Sequence, residues 1–189
     1  KFSTNTVHHI VLDGHGREEI DACIDITGTL GWFTTMYPVR LETQPGLGLA
    51  QSLKHIKETL RQIPGRGIAY GNLIGYQKNN LPKICFNYLG RFEAVGNVNA
   101  KSDTKIESQI WKIVGEDSGL SISSANQDWN LITVNGFVLD ESLQFKISTK
   151  FDQMTAEFFA RSFKESLEEV IEHTMSQTRQ WLTVSDVHH

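Results

Sequence analysis

The sequence predicts an α/β protein, an α+β sandwich in which one sheet is layered with helices. Three observations carry that expectation: branched and aromatic runs of strand length recur, two long amphipathic stretches lie among them, and turn-forming residues fall between. With 189 residues, 39% of them apolar and ten of them Phe, the chain is long enough for a packed core. Its 18 Lys+Arg against 22 Asp+Glu give a formal net charge of −4, without the clustered basic stripe that nucleic acid selects. No apolar run approaches the roughly 18 residues of a membrane span. Neither nucleic acid nor membrane is therefore an expected partner. Cys23 and Cys85 have neither the number nor the spacing of a disulfide framework or zinc site, and the default expectation is a reducing, cytoplasmic setting.

Taken in order, Val7-His8-His9-Ile10-Val11-Leu12 reads as a strand. It comes so soon, after a polar opening with no signal peptide, that the chain reads as a fragment of a longer polypeptide. A second strand is expected at 38–42. Leu49, Leu53, Ile56, Leu60 and Ile63 then step by four and three, a helical stripe ended by Pro64-Gly65. A strand at 83–89 precedes residues 93–118, whose Gly96, Asn97, Asn99, Ser102 and Asp103 suggest a long exposed loop. Strands follow at 119–124, 131–138 and 142–149, the last two a hairpin turning at Asp140-Glu141. The second long helix is expected over 155–178, with Phe159, Phe163, Leu167, Val170, Ile171 and Met175 on one face and Asp152 as N-cap. The main unit is set at 1–184, and 185–189 is read as a frayed tail whose His188-His189 resembles a tag remnant.

The densest polar cluster runs from His8 to Glu19. A metal site there is disfavoured, because His8 and His9 on a strand point to opposite faces. Gly65-Arg66-Gly67 is a poor phosphate loop, since it follows a helix and lacks the Lys-Ser/Thr pair. Gly14 and Gly16 supply tight geometry after a strand, and Trp32, Phe33, Tyr37 and Phe86 read as core aromatics. His15 lines a turn.

Two longer patterns carry more. His8-His9-x-x-x-Asp13-Gly14 spells the HHxxxDG signature of carrier-dependent acyltransferases and condensation domains, although only seven residues precede it. From Asp13 a different set begins: Asp13-Gly14-His15-Gly16-Arg17-Glu18, then Gly28-Thr29-Leu30-Gly31-Trp32-Phe33-Thr34-Thr35-Met36-Tyr37-Pro38-Val39. Ile63-Pro64-Gly65-Arg66-Gly67-Ile68-Ala69-Tyr70-Gly71 and Phe86-Asn87-Tyr88-Leu89-Gly90-Arg91-Phe92 complete it. Four segments in this order over about eighty residues resemble the C-terminal half of the epimerization domains of nonribosomal peptide synthetases, with their EGHGRE, RTVGWFTxxYPV, PxxGxGYG and FNYLGQF motifs.

The resemblance implies a chloramphenicol acetyltransferase-like lobe, with a mixed sheet covered by two long helices, facing a second lobe across a tunnel. It implies an upstream peptidyl carrier protein whose phosphopantetheine arm brings an aminoacyl or peptidyl thioester, inverted from L to D at the α-carbon. No cofactor is expected to be bound by this lobe, and no metal. Asp13 matches the acid/base glutamate, Arg17 the arginine that orients that carboxylate or its loop, and Asn87 and Tyr88 the tunnel-lining pair. Of the two, Tyr88 is the better expected donor to an enolate. His15, Trp32, Phe33 and Tyr70 are expected along the tunnel. The partner histidine lies on the HHxxxDG of the N-terminal lobe, which this chain lacks, so the isolated lobe is expected to be inactive. Asp13 in place of Glu, Gly28-Thr29 in place of Arg-Thr, Ala69 in place of Gly and Arg91 in place of Gln depart from the family. Three alternatives stay open: a condensation lobe forming amide bonds, a catalytically silent carrier-docking module, and a metallohydrolase.

Overall fold

A run rich in branched residues makes β1 (Val7–Gly14), and the same chemistry recurs in β2 (Thr35–Glu42), β3 (Ile84–Phe92), β4 (Ile132–Leu139) and β5 (Ser142–Thr149). These elements come from a computed structural model that describes residues 5–44, 46–77, 80–92, 119, 123, 125–126, 128–139 and 141–187. The five strands form one sheet in the order β2-β1-β3-β4-β5. The outer pairs, β1 with β2 and β4 with β5, are antiparallel, while β1 with β3 and β3 with β4 are parallel. The sheet is mixed, as expected.

Among the described residues three α-helices accompany it: α1 (Leu49–Arg61), the four-residue α2 (Tyr70–Leu73) and α3 (Gln153–Met175). Asp152 caps α3, its carboxylate accepting from the Thr155 backbone N–H at 3.0 Å and from Thr155 Oγ1 at 2.6 Å. α3 lies over the sheet face that carries Phe86 and Phe145. Phe145 stacks edge-on to Phe163 of α3 at 5.0 Å between ring centres and lies 6.5 Å from Phe86. Gly136 makes room for this arrangement, since a Cβ there would sit 2.6 Å from the Phe145 ring. The most deeply buried apolar side chains described are Val11, Val39, Cys85, Ile132 and Val134, all on strands. Each valine or isoleucine among them contributes about 1.5–3 kcal/mol by leaving water.

Two expectations are corrected where residues are described, and a third is not tested. The strand expected at 119–124 falls mostly outside the described residues, and neither Gly119 nor Ser123 within them is in a strand. The loop expected at 93–118 lies outside them altogether. Of the tail expected to fray from residue 185, the described residues 185–187 are instead fastened to α1. Val184–Asp186 forms a short 3-10 turn capped by Thr183, Lys57 Nζ meets Asp186 Oδ2 at 2.5 Å, and Arg61 meets the other carboxylate oxygen. Ser185 Oγ donates to Glu58 Oε1 at 2.6 Å, and Lys54 lies over the Trp181 ring. A short polar run ending a chain reads as loose only while its partners on a distant helix are unknown.

Candidate active site

Asp13 stands one residue from the end of β1, opposite Met36 of β2 in the antiparallel register. On the other side β1 runs beside β3, with Val11 against Cys85 and Leu12 against Phe86. Strand alternation therefore puts Asp13, Val11 and Cys85 on one face, turned away from α3. Cys85 Sγ donates to Asp13 Oδ1 at 3.8 Å. No cation pairs with Asp13 among the described residues. Burial raises the Asp13 pKa above the usual carboxylate range, and the thiol hydrogen bond opposes that only in part. Burial first, and the nearby Asp13 charge second, push the Cys85 thiol up to about 12. At neutral pH the pair is a carboxylate of raised basicity facing a protonated thiol. Such a carboxylate is suited to taking a proton and giving it back.

The turn after β1 is held tightly. Gly16 adopts φ 66°, and a Cβ on it would lie 1.6 Å from the Phe33 carbonyl oxygen, so glycine is required there. The Arg17 guanidinium donates to the carbonyls of Ile26 and Thr29, both at 2.9 Å, and lies 4.2 Å above the Phe33 ring. Of the two roles expected for Arg17, its bonds serve the loop and not the carboxylate. His15 Nδ1 accepts the Arg17 backbone N–H at 3.0 Å, while Nε2 faces Glu18 Oε1 at 3.0 Å. Glu18 in turn reaches Arg66 at 3.2 Å, joining this turn to the 3-10 turn Pro64–Gly67. Tyr70 packs near Tyr76, with ring centres 6.3 Å apart, and the Tyr76 hydroxyl accepts the Met36 backbone N–H at 3.3 Å.

The expected site residues do not all converge. By alternation along β3, Asn87 shares the face of Cys85 and Asp13. Tyr88, opposite Gly136, belongs to the face of Phe86 and Phe145. Tyr88 is 52% exposed and, among the described residues, is not brought to Asp13. Trp32 is no core aromatic: it is 90% exposed, beside a fully exposed Leu30. Phe33 is partly buried beneath Arg17. His8 and His9 alternate across the strand, and no group of three metal-ligating side chains occurs among the described residues.

A pocket of about 280 Å³ opens on Asp13's side of the sheet, lined by Val11, Met36, Tyr76, Cys85, Asp128 and Trp129 among others. A larger one, about 400 Å³, lies between α1 and Leu182–Val184, and none of its lining residues belongs to the four motifs. Sequence reasoning missed Cys85, Glu18 and Asp128. The signal for Cys85 was available in principle, since it precedes Asn87 by two on a strand and so shares its face.

Residues 4–189 match the profile of the Condensation domain family. The chain belongs to the condensation-domain family. This condensation-family chain is 37% identical to bacitracin synthase 3 of Bacillus licheniformis over 94% of its length, covering 3% of that protein. It is 33% identical to gramicidin S synthase 1 of Brevibacillus brevis, over 94% of the chain and 17% of that protein. Its fold matches the crystal structure of the epimerization domain from the third module of tyrocidine synthetase B with a TM-score of 0.74 and 28% identity, covering 92% of this chain and 39% of that one. The chain thus spans about two-fifths of that structure and less than a fifth of either curated relative. It is a condensation-type domain of the nonribosomal peptide synthetase kind, and the epimerization-domain resemblance drawn from four motifs is matched by this likeness in fold. No described helix is long and apolar enough to cross a membrane.

Proposed function

We propose that this chain is the C-terminal half of an epimerization domain, which inverts the α-carbon of an aminoacyl or peptidyl thioester from L to D. The substrate arrives on the phosphopantetheine arm of an upstream carrier protein, and the reading calls on no cofactor held by this half. The observation that supports it is Asp13: a partly buried carboxylate, free of any cation among the described residues, with its pKa raised by burial. A thioester acidifies its Cα–H, and a carboxylate of raised basicity within hydrogen-bond reach can accept that proton, leaving an enolate. A second proton is then delivered to the opposite face by the protonated histidine of the facing half, and Asp13 afterwards passes the proton it took to solvent, while the enolate oxygen needs a donor. Asn87, on Asp13's face, is better placed for that than Tyr88.

The test uses the intact two-lobed domain with an L-aminoacyl thioester on its carrier in D₂O, scored for deuterium and D-isomer. Both are expected to appear, and Asp13→Asn is expected to reduce both by about 10²–10⁴-fold. A second reading, a carrier-docking module without turnover, is favoured by the placement of Tyr88 on the far face of the sheet. Carrier binding with no exchange over hours would establish it. Amide formation with an acceptor carrier would instead mark a condensation lobe.

A further inference from the structure

We propose that Cys85 is the positioning residue for Asp13: its S–H donates to the carboxylate and fixes the direction in which the carboxylate points. This rests on Asp13 being the proton carrier of the proposed epimerization.

The geometry comes from strand register. Val11 lies against Cys85 across the parallel β1–β3 pair, so the thiol emerges on the face that Asp13 occupies two residues further along β1. The 3.8 Å contact from Sγ to Oδ1 is the side-chain hydrogen bond Asp13 accepts among the described residues. An amide or cation in that place would be a stronger donor and would draw the carboxylate's pKa down, because charge-assisted bonds favour the ionised form. A thiol is a weak donor. It sets the rotamer at little cost in basicity. Buried and beside a carboxylate, it also stays protonated at neutral pH and does not compete as a base or nucleophile. Cys85, Val11 and Met36 also form one wall of the 280 Å³ pocket, so a group entering it meets the residues that surround Asp13.

Two variants of the intact domain separate this role from simple packing. In Cys85→Ser a stronger donor remains, so the Asp13 pKa moves down. In Cys85→Ala the donor is gone, and the pKa moves up. The other charged groups around Asp13 are the same in both: Lys83 and Asp128 at the pocket, His9 on β1 with Arg40 opposite it, and the His15–Glu18–Arg66 chain on the turn. Titration of a ¹³C-labelled Asp13 carboxyl reads these shifts without needing turnover. The acid limb of α-proton exchange is expected to move with it. Exchange at neutral pH falls on the order of 10- to 10²-fold in Cys85→Ala, as for a slightly misplaced base, with KM for the carrier unchanged, and is largely restored in Cys85→Ser. As a packing control, Thr133→Val alters the neighbouring side chain on β4 and leaves the titration where it was. Opposite shifts in the Ser and Ala variants support the proposal. A titration that stays put in both overturns it, and the Asp13 reading survives if Asp13→Asn still abolishes exchange. Exchange unaffected by Asp13→Asn overturns both.

Discussion

Asp13 carries a cost in stability that follows from the burial which raises its basicity. Its pKa is higher in the folded protein than in the unfolded chain, so the unfolded state releases this proton first. Stability from this group is therefore greatest at low pH and falls as pH rises from the ordinary aspartate range, about 3.9, through the raised folded value. Asp13→Asn removes that dependence. The variant is expected to unfold at a higher temperature than the parent at pH 7 and to lose its advantage below about pH 4, as measured by thermal unfolding of the intact domain. A lower melting temperature at pH 7 would contradict it. The letters singled out Asp13 and Arg17 through a motif at the end of a strand, and their catalytic roles belong to the proposal. Cys85 and Glu18 were not legible as partners, since their contacts cross between strands or turns far apart in sequence. Trp32 was misread as core because hydrophobicity was taken for burial.

Among the elements, the C-terminal segment is the one whose behaviour the sequence misjudged most. Asp186 is held well below the usual carboxylate range, first by the Lys57 hydrogen bond and then by the Thr183 N–H and Arg61. The sign is opposite to that of Asp13. The contribution is present above the unfolded carboxylate value of about 3.9 and is lost only as pH falls through the much lower folded value. The segment is expected to stay clasped at neutral and mildly acidic pH. In Asp186→Asn, amide hydrogen exchange over 183–187 is expected to quicken severalfold at neutral pH, and high salt is expected to weaken the parent clasp in the same direction. Unchanged exchange would show that Trp181 and Ser185 hold the segment alone. The strands and both long helices were legible from periodicity, with ends shifted by about two or three residues, as capping and fraying dictate. Asp152 was legible as a cap because its own side chain makes the bonds. The short α2 was not, since four residues beside Gly65, Gly67 and Gly71 present no period to read.

On the scale of the whole molecule, the sheet with two long helices was legible as a layered fold. The resemblance, not the periodicity, pointed to its mixed strand directions. Strand order is set by pairings such as Ile84 with Ile132, to which single-sequence periodicity is blind. The loop over 19–34 carries Ile20, Ile24, Leu30 and Trp32, all exposed, while Arg17 and Gly16 hold its base firmly. Four large apolar side chains exposed on one loop make it a candidate for self-association. The isolated chain is expected to scatter light as a species larger than 21.3 kDa, and Leu30→Ser with Trp32→Ser to shift it towards the monomer. A clean monomer before substitution would contradict this. The sheet order has a mechanical consequence as well. β1 is bonded to β2 over its whole length and to β3 at Val11 and Leu12, just before Asp13. A carboxylate anchored there is a fixed post. In the proposed epimerization such a carboxylate would not swing out to meet a substrate, and the last ångström would be closed by the arm that delivers the thioester or by the facing half. Under the proposed epimerization, crosslinking the carrier in its docked pose is expected to speed exchange, and loosening the strand is not.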